Sequence, residues 1–209
     1  TAGTASTMAA VAETLGMTLP GAQSIPAIDS LHPRMCSEVG ERIVAMVFED
    51  LKPTDICTEA SFHNAVKAVL ALGGSTNACV HLPAMAGRLG IKLPLDVWER
   101  YNQQIPVLAN IMPAGIALME DFFFAGGMLG LLKQIEAHLD TSCMTVTGRA
   151  LGEHLSSAEI FDTDIIRPLD NPVSKQAIAV VTGNLAPRGA VMKPSAASPH
   201  LLKHVGPAV

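Results

Sequence analysis

Small hydroxyl residues stand beside glycines at two places where this sequence predicts the start of a helix. The first is the opening run Thr1-Ala-Gly-Thr-Ala-Ser-Thr7, with the candidate ligand residues Thr1, Gly3, Thr4 and Ser6. Free backbone N–H groups and the helix dipole favour a bound anion at such a start, but the same hydroxyls also serve as ordinary caps. Residue types alone leave both interpretations open.

The second place is the run Gly73-Gly-Ser-Thr-Asn77, where Gly74, Ser75, Thr76 and Asn77 repeat the pattern. No lysine follows the glycines as it does in a phosphate-binding P-loop, so a nucleotide site is not indicated. The turn is therefore predicted either to line a pocket for a carboxylate, phosphate or polyol, or to supply an N-cap side chain for the next helix.

Two carboxylates, Glu120 and Asp121, precede three phenylalanines and a glycine pair in the segment from 119 to 127. Carboxylates beside apolar bulk are candidates for acid–base or metal chemistry, because burial shifts their pKa. Acidic residues are also common in the first turn of a helix, where they interact with its dipole. Both roles are compatible with this spacing.

Lys193 follows a short β-type run and opens the segment Lys193-Pro-Ser-Ala-Ala197. A lysine placed there is a candidate contact for an acidic substrate. A loop lysine is also commonly solvated, and the sequence does not distinguish the two.

The remaining chemistry-bearing residues do not form a recognisable motif. The four cysteines, at positions 36, 57, 79 and 143, include no C-x-x-C pair. Among the histidines, His200 and His204 come closest to an H-x-x-x-H ligand pair, but their proline-rich context argues against the rigid helix that such a pair needs. Spacing therefore predicts no metal site, and the cysteines are typical of reduced thiols in a cytoplasmic protein.

Composition narrows the possible partners. The net charge is −5 and the basic residues are scattered, which argues against nucleic acid and anionic membrane as partners. Hydrophobic residues make up 49% and charged residues only 16%, so the chain can bury a large core. So few charges also predict apolar surface that more polypeptide or a second subunit must cover.

Helical spacing dominates the first two thirds of the sequence. Predicted helices are Ala5–Leu15 ended by Gly16, a run through Val39, Ile43, Met46 and Val47, a stripe from Phe62 to Leu70 halted by Gly73-Gly74, a segment to Leu89 that contains Pro83, a helix with an Asp96/Glu99 capping box, and Met128–Leu139. Short β-type runs follow at Ile178–Val181 and Ala190–Met192.

This change of texture predicts an α/β protein in two parts. Residues 1–160 form a helix-rich α/β scaffold, and residues 161–209 open a β-rich, barrel-like second domain. Both termini interrupt ordered-looking sequence, so we expect an internal fragment of a longer chain.

Six stretches together resemble the dihydroxy-acid dehydratase and phosphogluconate dehydratase family, most closely its sugar-acid branch. They occur in the family's order and span nearly the whole chain: Gly3-Thr-Ala-Ser-Thr-Met8, Leu19-Pro-Gly21, Gly73-Gly-Ser-Thr-Asn-Ala78, Met119-Glu-Asp-Phe-Phe-Phe-Ala-Gly-Gly127, Gly183-Asn-Leu-Ala-Pro187 and Lys193-Pro-Ser-Ala-Ala197.

The resemblance implies a cytoplasmic hydro-lyase, a homodimer or homotetramer, that converts 2,3-dihydroxy acids or sugar acids to 2-keto acids. It implies an iron–sulfur cluster (2Fe–2S or 4Fe–4S) held by three cysteines and a Mg²⁺ ion near a modified lysine. None of the four cysteines matches a cluster position of the family. The metal ligands and the catalytic residues are therefore expected outside this segment, which would supply pocket walls.

Two other interpretations stay open at this point. The chain is alternatively a binding module that kept the scaffold without the chemistry, or a purely structural helical domain. Iron and sulfide in stoichiometric amounts would distinguish a dehydratase from both.

Overall fold

The computed structural model describes residues 2–198, 200, 203 and 205–207. Within these residues the chain forms nine α-helices and one two-stranded sheet, which is a mixed α/β fold dominated by helix. The helices are Thr4–Thr14 (α1), Leu31–Glu49 (α2), Pro53–Ile56 (α3), Glu59–Leu72 (α4), Ala78–Arg88 (α5), Leu95–Asn102 (α6), Met119–Phe124 (α7), Gly127–Gln134 (α8) and Leu151–Leu155 (α9).

Helix α4 is the centre of the core. Its residues from 68 to 72 are all apolar and fully buried, so the last turn of the helix is surrounded by the core. Helices α1, α5, α6 and α8 pack against it. The helix begins with a capping box between Thr58 and Ser61 and ends at Gly73, whose φ of 66° is the left-handed conformation that glycine adopts readily.

The two predicted β-type runs pair as strands. Strands Ala179–Val181 (β1) and Ala190–Met192 (β2) are antiparallel, with Val180 opposite Val191. The side chain of Asn102 fixes the chain before β1 to the end of α6, because its amide donates to the Ile178 carbonyl and its oxygen accepts from Ala177 N–H. The helical part and the sheet therefore share one core.

Several predicted helices are confirmed. Helix α1 ends before Gly16, whose φ is 82° and whose close contact with the Met144 carbonyl leaves no room for a Cβ. Pro83 lies inside α5 as predicted. The run through Val39 and Val47 is helical, although only Met46 of α2 is buried.

Three local predictions were wrong. Pro94, not Asp96, is the N-cap of α6, and Glu99 accepts a hydrogen bond from Val180 N–H at 3.3 Å instead of closing a capping box. The helix predicted over Met128–Leu139 ends at Gln134, and a 3-10 turn follows. There the His138 carbonyl accepts from Lys67 Nζ at 2.7 Å, a tertiary contact that the helical period does not reveal.

The third error concerns the start of α5. Asn77 occupies the N-cap position, but no side chain caps the helix in the expected way.

No helix of the described residues is both long enough and apolar enough to cross a bilayer.

Candidate functional site

The two glycine–hydroxyl turns lie against each other, although 71 residues separate them in sequence. Thr4 Oγ1 lies 3.2 Å from Ser75 Oγ and accepts a hydrogen bond from Asn77 Nδ2 at 2.7 Å. Ser75 Oγ also accepts from Asn77 N–H at 3.2 Å. Thr4, Ser75 and Asn77 thus form one polar cluster at the start of α1, which we call the hydroxyl cluster.

Thr7 and Gly74 hold the hydroxyl cluster in place. Thr7 is fully buried, and its Oγ1 accepts from Ser75 N–H at 2.9 Å. A Cβ at Gly74 would lie 2.8 Å from Thr7 Cγ2 and 3.0 Å from Val69 Cγ1, so only glycine lets the two segments approach this closely. This packing contact explains Gly74, which was predicted as a pocket residue.

Lys193 reaches the same turn from the end of β2. Its Nζ donates to the Gly73 carbonyl at 2.6 Å, across 120 residues of sequence. The side chain is half-buried, and this burial lowers the pKa of its ammonium group below the ordinary value. The Lys193 ammonium group therefore lies at Gly73, two positions before Ser75 in the sequence.

The other predicted residues of the two turns lie at the start of α1 or between α4 and α5. Gly3 is exposed at the N-cap position of α1 in an extended conformation. The Ser6 carbonyl accepts from Gln23 Nε2 at 3.2 Å, and Thr76, partly buried, belongs to the turn that links α4 to α5. Thr1 lies outside the described residues.

Glu120 and Asp121 lie elsewhere, in the first turn of α7, and both are exposed. Asp121 Oδ2 accepts from Leu118 N–H at 2.7 Å, which is the contact of a helix-start acid. Asp121 also lines an open groove with Phe161 and Asp162. The geometry gives Asp121 a capping role and leaves the predicted pocket role of both carboxylates as a proposal.

Sequence reasoning missed Glu13, which is the buried carboxylate nearest in sequence to the hydroxyl cluster. Its two oxygens accept from Gly21 and Gln23 N–H groups, each at 2.8 Å. Burial raises its pKa to about 7, against the opposing effect of these two donors. A glutamate between Ala10, Val11 and Leu15 on an apolar helix was the available signal. Glu13 fixes the Pro20-Gly21 loop to α1.

This raised pKa predicts a pH dependence of stability. Because the folded-state pKa of Glu13 lies above the unfolded-state value of 4.5, the protonated group contributes stability that is complete below about pH 4.5 and is lost as pH rises through 7. The loss amounts to about 3 kcal/mol for a shift of this size. Urea unfolding between pH 4.5 and 8 should show it.

A Glu13→Gln variant is the matched comparison, since it cannot ionise at this position. We expect its unfolding free energy to fall less over the same pH range, by about 3 kcal/mol. Parallel curves for the two proteins would contradict the assignment.

The four cysteines do not meet. Cys36 is exposed, Cys57 and Cys79 are partly buried, and Cys143 is buried. Burial raises the pKa of Cys79 to about 12, which disfavours the thiolate that a metal requires. In the described part of the chain, no three His, Cys, Asp or Glu side chains group as they would around a metal ion. These residues do not fit an iron–sulfur cluster or a Mg²⁺ site.

Comparison with known proteins places the chain in a family. The N-terminal model of the dihydroxy-acid/6-phosphogluconate dehydratases matches residues 1–154, and their C-terminal model matches residues 164–209. The chain therefore belongs to the dihydroxy-acid/6-phosphogluconate dehydratase family.

Individual relatives support the same assignment. The chain is 49% identical to the 6-deoxy-6-sulfo-D-gluconate dehydratase of Pseudomonas putida, covering 100% of the chain and 37% of the relative. It is 49% identical to the L-arabinonate dehydratase of Rhizobium leguminosarum (95% and 35%). It is 45% identical to the dihydroxy-acid dehydratase of Caldicellulosiruptor saccharolyticus (98% and 38%). The chain thus spans little more than a third of these relatives' length.

Proposed function

We propose that this chain is part of a hydro-lyase that dehydrates sugar acids or 2,3-dihydroxy acids to 2-keto acids. The observation that carries the proposal is that the hydroxyl cluster and the Lys193 ammonium group are both attached to the turn of residues 73–77, in a chain that both family models match. Hydroxyl groups and one ammonium group suit a substrate with several hydroxyls and one carboxylate.

The chain's own residues have binding roles in this proposal. Lys193 attracts the substrate carboxylate, while Thr4, Ser75 and Asn77 exchange hydrogen bonds with its hydroxyls. Gly3, Ser6 and Thr76 line the same wall. Glu120 and Asp121 lie apart from the hydroxyl cluster, and their pocket role in this proposal is through the separate groove that Asp121 lines. Gly74 keeps the turn close to α1 without touching the substrate.

Sugar acids are the preferred substrate class. The hydroxyl and amide groups of the cluster bond to one another and retain further donor and acceptor capacity, which a polyol can use and an apolar ligand would bury without a partner. Relatives named for sugar-acid substrates are among the most similar proteins. A branched-chain dihydroxy acid would place methyl groups against this surface.

The iron–sulfur cluster and the Mg²⁺ ion belong to the complete enzyme in this proposal. Since the described residues do not fit either group, we assign their ligands to the part of the family's length that this chain does not span. The catalytic residues are assigned there as well.

The remaining organisation is proposed on the same basis. Residues 1–160 form scaffold and pocket wall, and residues 161–209 begin a β-rich, barrel-like domain of which β1 and β2 are the first pair. The complete enzyme is a cytoplasmic homodimer or homotetramer.

A turnover assay tests the proposal. A longer enzyme that contains this chain, purified without oxygen and supplied with iron and sulfide, should release 2-keto acids from five- and six-carbon aldonates faster than from a branched-chain dihydroxy acid. The 209-residue chain, treated identically, should release none.

Two results would contradict it. Turnover by the 209-residue chain alone would show that it holds a complete site. A longer enzyme that carries its cluster but converts no dihydroxy acid would favour the binding-module interpretation.

A further inference from the structure

Helix α2 is long but barely packed against the rest of the molecule. Among its 19 residues, only Met46 is buried, in a small cluster with Ile56 and Val146. Arg42, which donates through Nε to the Val146 carbonyl, adds a polar attachment near the same turn. Tertiary packing supplies most helix stability in proteins, so a helix this exposed is expected to gain contacts from something else.

The outward side of α2 carries a narrow uncharged stripe. It consists of Pro33, Cys36, Gly40, Val44 and Val47, which we call the α2 stripe, and all five are exposed. At 3.6 residues per turn, these positions fall within about 80° of the helix circumference. Val44 and Val47 are 56% and 73% exposed. Single apolar side chains are often this exposed on a protein surface, but a continuous row of them seldom is.

The stripe is symmetric about its centre. Its spacing of three, four, four and three residues is the same in both directions, and Gly40 is the midpoint of Leu31–Glu49. Two such helices placed antiparallel bring Pro33 opposite Val47, Cys36 opposite Val44 and Gly40 opposite itself. A twofold interface requires this self-complementarity, because each contact must occur twice.

Gly40 fits the centre of such a contact. A Cβ built at this position meets nothing within 4 Å, so the fold of the single chain gives no reason for a glycine here. Glycine within a helix costs about 0.5–1 kcal/mol relative to alanine. Its benefit would come from a second helix backbone that approaches closely at this point.

The charged side chains of α2 avoid the stripe. Arg42 and Glu49 form an ion pair with each other on the side that faces the body of the protein. Val39, Ile43 and Phe48 border the stripe and extend its apolar surface, with Phe48 87% exposed. None of the five stripe residues is charged, and the exposed Arg34, Glu38 and Glu41 lie outside the stripe, so the contact between the two stripes itself buries no charge and avoids a large desolvation cost.

We propose that the α2 stripe docks antiparallel on the α2 stripe of a second copy of this chain, with a twofold axis at Gly40. The helix pair is an isologous dimer contact that covers the apolar surface left exposed by the fold. It does not depend on the proposed catalytic activity.

Sedimentation equilibrium of the 209-residue chain tests the contact. The chain should dimerise reversibly, and Val44→Glu should weaken the dimer at least tenfold, because it buries two unpaired carboxylates at the interface. Val80→Glu is the matched control, since Val80 is 66% exposed on α5 and should leave the dissociation constant unchanged. Both side chains are exposed, so neither variant should unfold the chain.

Disulfide trapping tests the register. In a Cys36→Ser background, Gly40→Cys should form a cross-linked dimer on mild oxidation, because a disulfide needs Cα atoms about 4.4–6.8 Å apart. Ser37→Cys in the same background should not, since the antiparallel register separates the two copies of residue 37 by six positions, roughly 9 Å along the axis.

A chain that stays monomeric at all concentrations would overturn the proposal and show that other polypeptide covers the stripe. A dimer that withstands Val44→Glu would place the contact on a different surface. Equal cross-linking at positions 37 and 40 would exclude the twofold axis at Gly40.

Discussion

Gly126→Ala is expected to lower the free energy of unfolding by about 3 kcal/mol or more, since steric overlap and a left-handed backbone both penalise the new side chain. Gly126 joins α7 to α8 with a φ of 124°, a conformation that alanine rarely adopts. A Cβ there would lie 2.4 Å from the Glu159 carbonyl oxygen. That oxygen belongs to the backbone, so it cannot turn aside as a flexible side chain would.

The surrounding contacts limit any relaxation. Phe161 N–H donates to the Ala125 carbonyl at 2.9 Å, and Gly130 packs on the same Glu159 carbonyl. Moving the segment 159–161 away would therefore loosen the packing of both α7 and α8. Chemical denaturation followed by circular dichroism measures the change.

Gly87→Ala is the control for this prediction. Gly87 lies in α5, where an added Cβ meets nothing within 4 Å, so alanine should be neutral or stabilise by up to about 1 kcal/mol. If the two variants unfold at the same denaturant concentration, the close contact at Gly126 is not a determinant of stability.

The second large effect is expected at Lys193. In the complete enzyme, Lys193→Met should lower kcat/KM for anionic substrates roughly 10- to 100-fold, because a hydrogen bond to a charged group contributes about 1.5–3 kcal/mol. The hydrogen bond to Gly73 attaches the ammonium group to the turn that also carries Ser75 and Asn77, which is why we assign it to the substrate carboxylate. Steady-state kinetics with an aldonate measures the loss.

Lys175→Met is the matched control, since Lys175 is exposed and should tolerate the same change with unaltered kinetics. The melting temperature of Lys193→Met distinguishes a structural role of Lys193 from a substrate-binding role. If Lys193→Met lowers the melting temperature while kcat/KM is unchanged, Lys193 only ties β2 to the Gly73 turn.

Much of the secondary structure was predictable because it depends on local chemistry. Gly16 and Gly73 mark the ends of α1 and α4 since both need a left-handed residue, and the β-type runs before and after Gly183-Asn184 do pair as a hairpin. The errors at Asp96 and at Ile135 have a common cause. In each case a distant partner, Val180 N–H or Lys67 Nζ, engages a group that local reasoning had assigned to the helix itself.

The candidate site shows the same division. By itself, the sequence determined the two hydroxyl-rich turns, the lysine, the family and the excess of apolar surface, because residue types and short-range spacing carry these features. Only the tertiary structure decided that Thr4 meets Ser75, that Lys193 reaches Gly73 and that Asp121 faces elsewhere. Packing of α1 on α4 brings the turns together, and contacts across 70 to 120 residues leave no periodic trace in the chain. The burial that raises the pKa of Glu13 likewise exists only once that packing has formed.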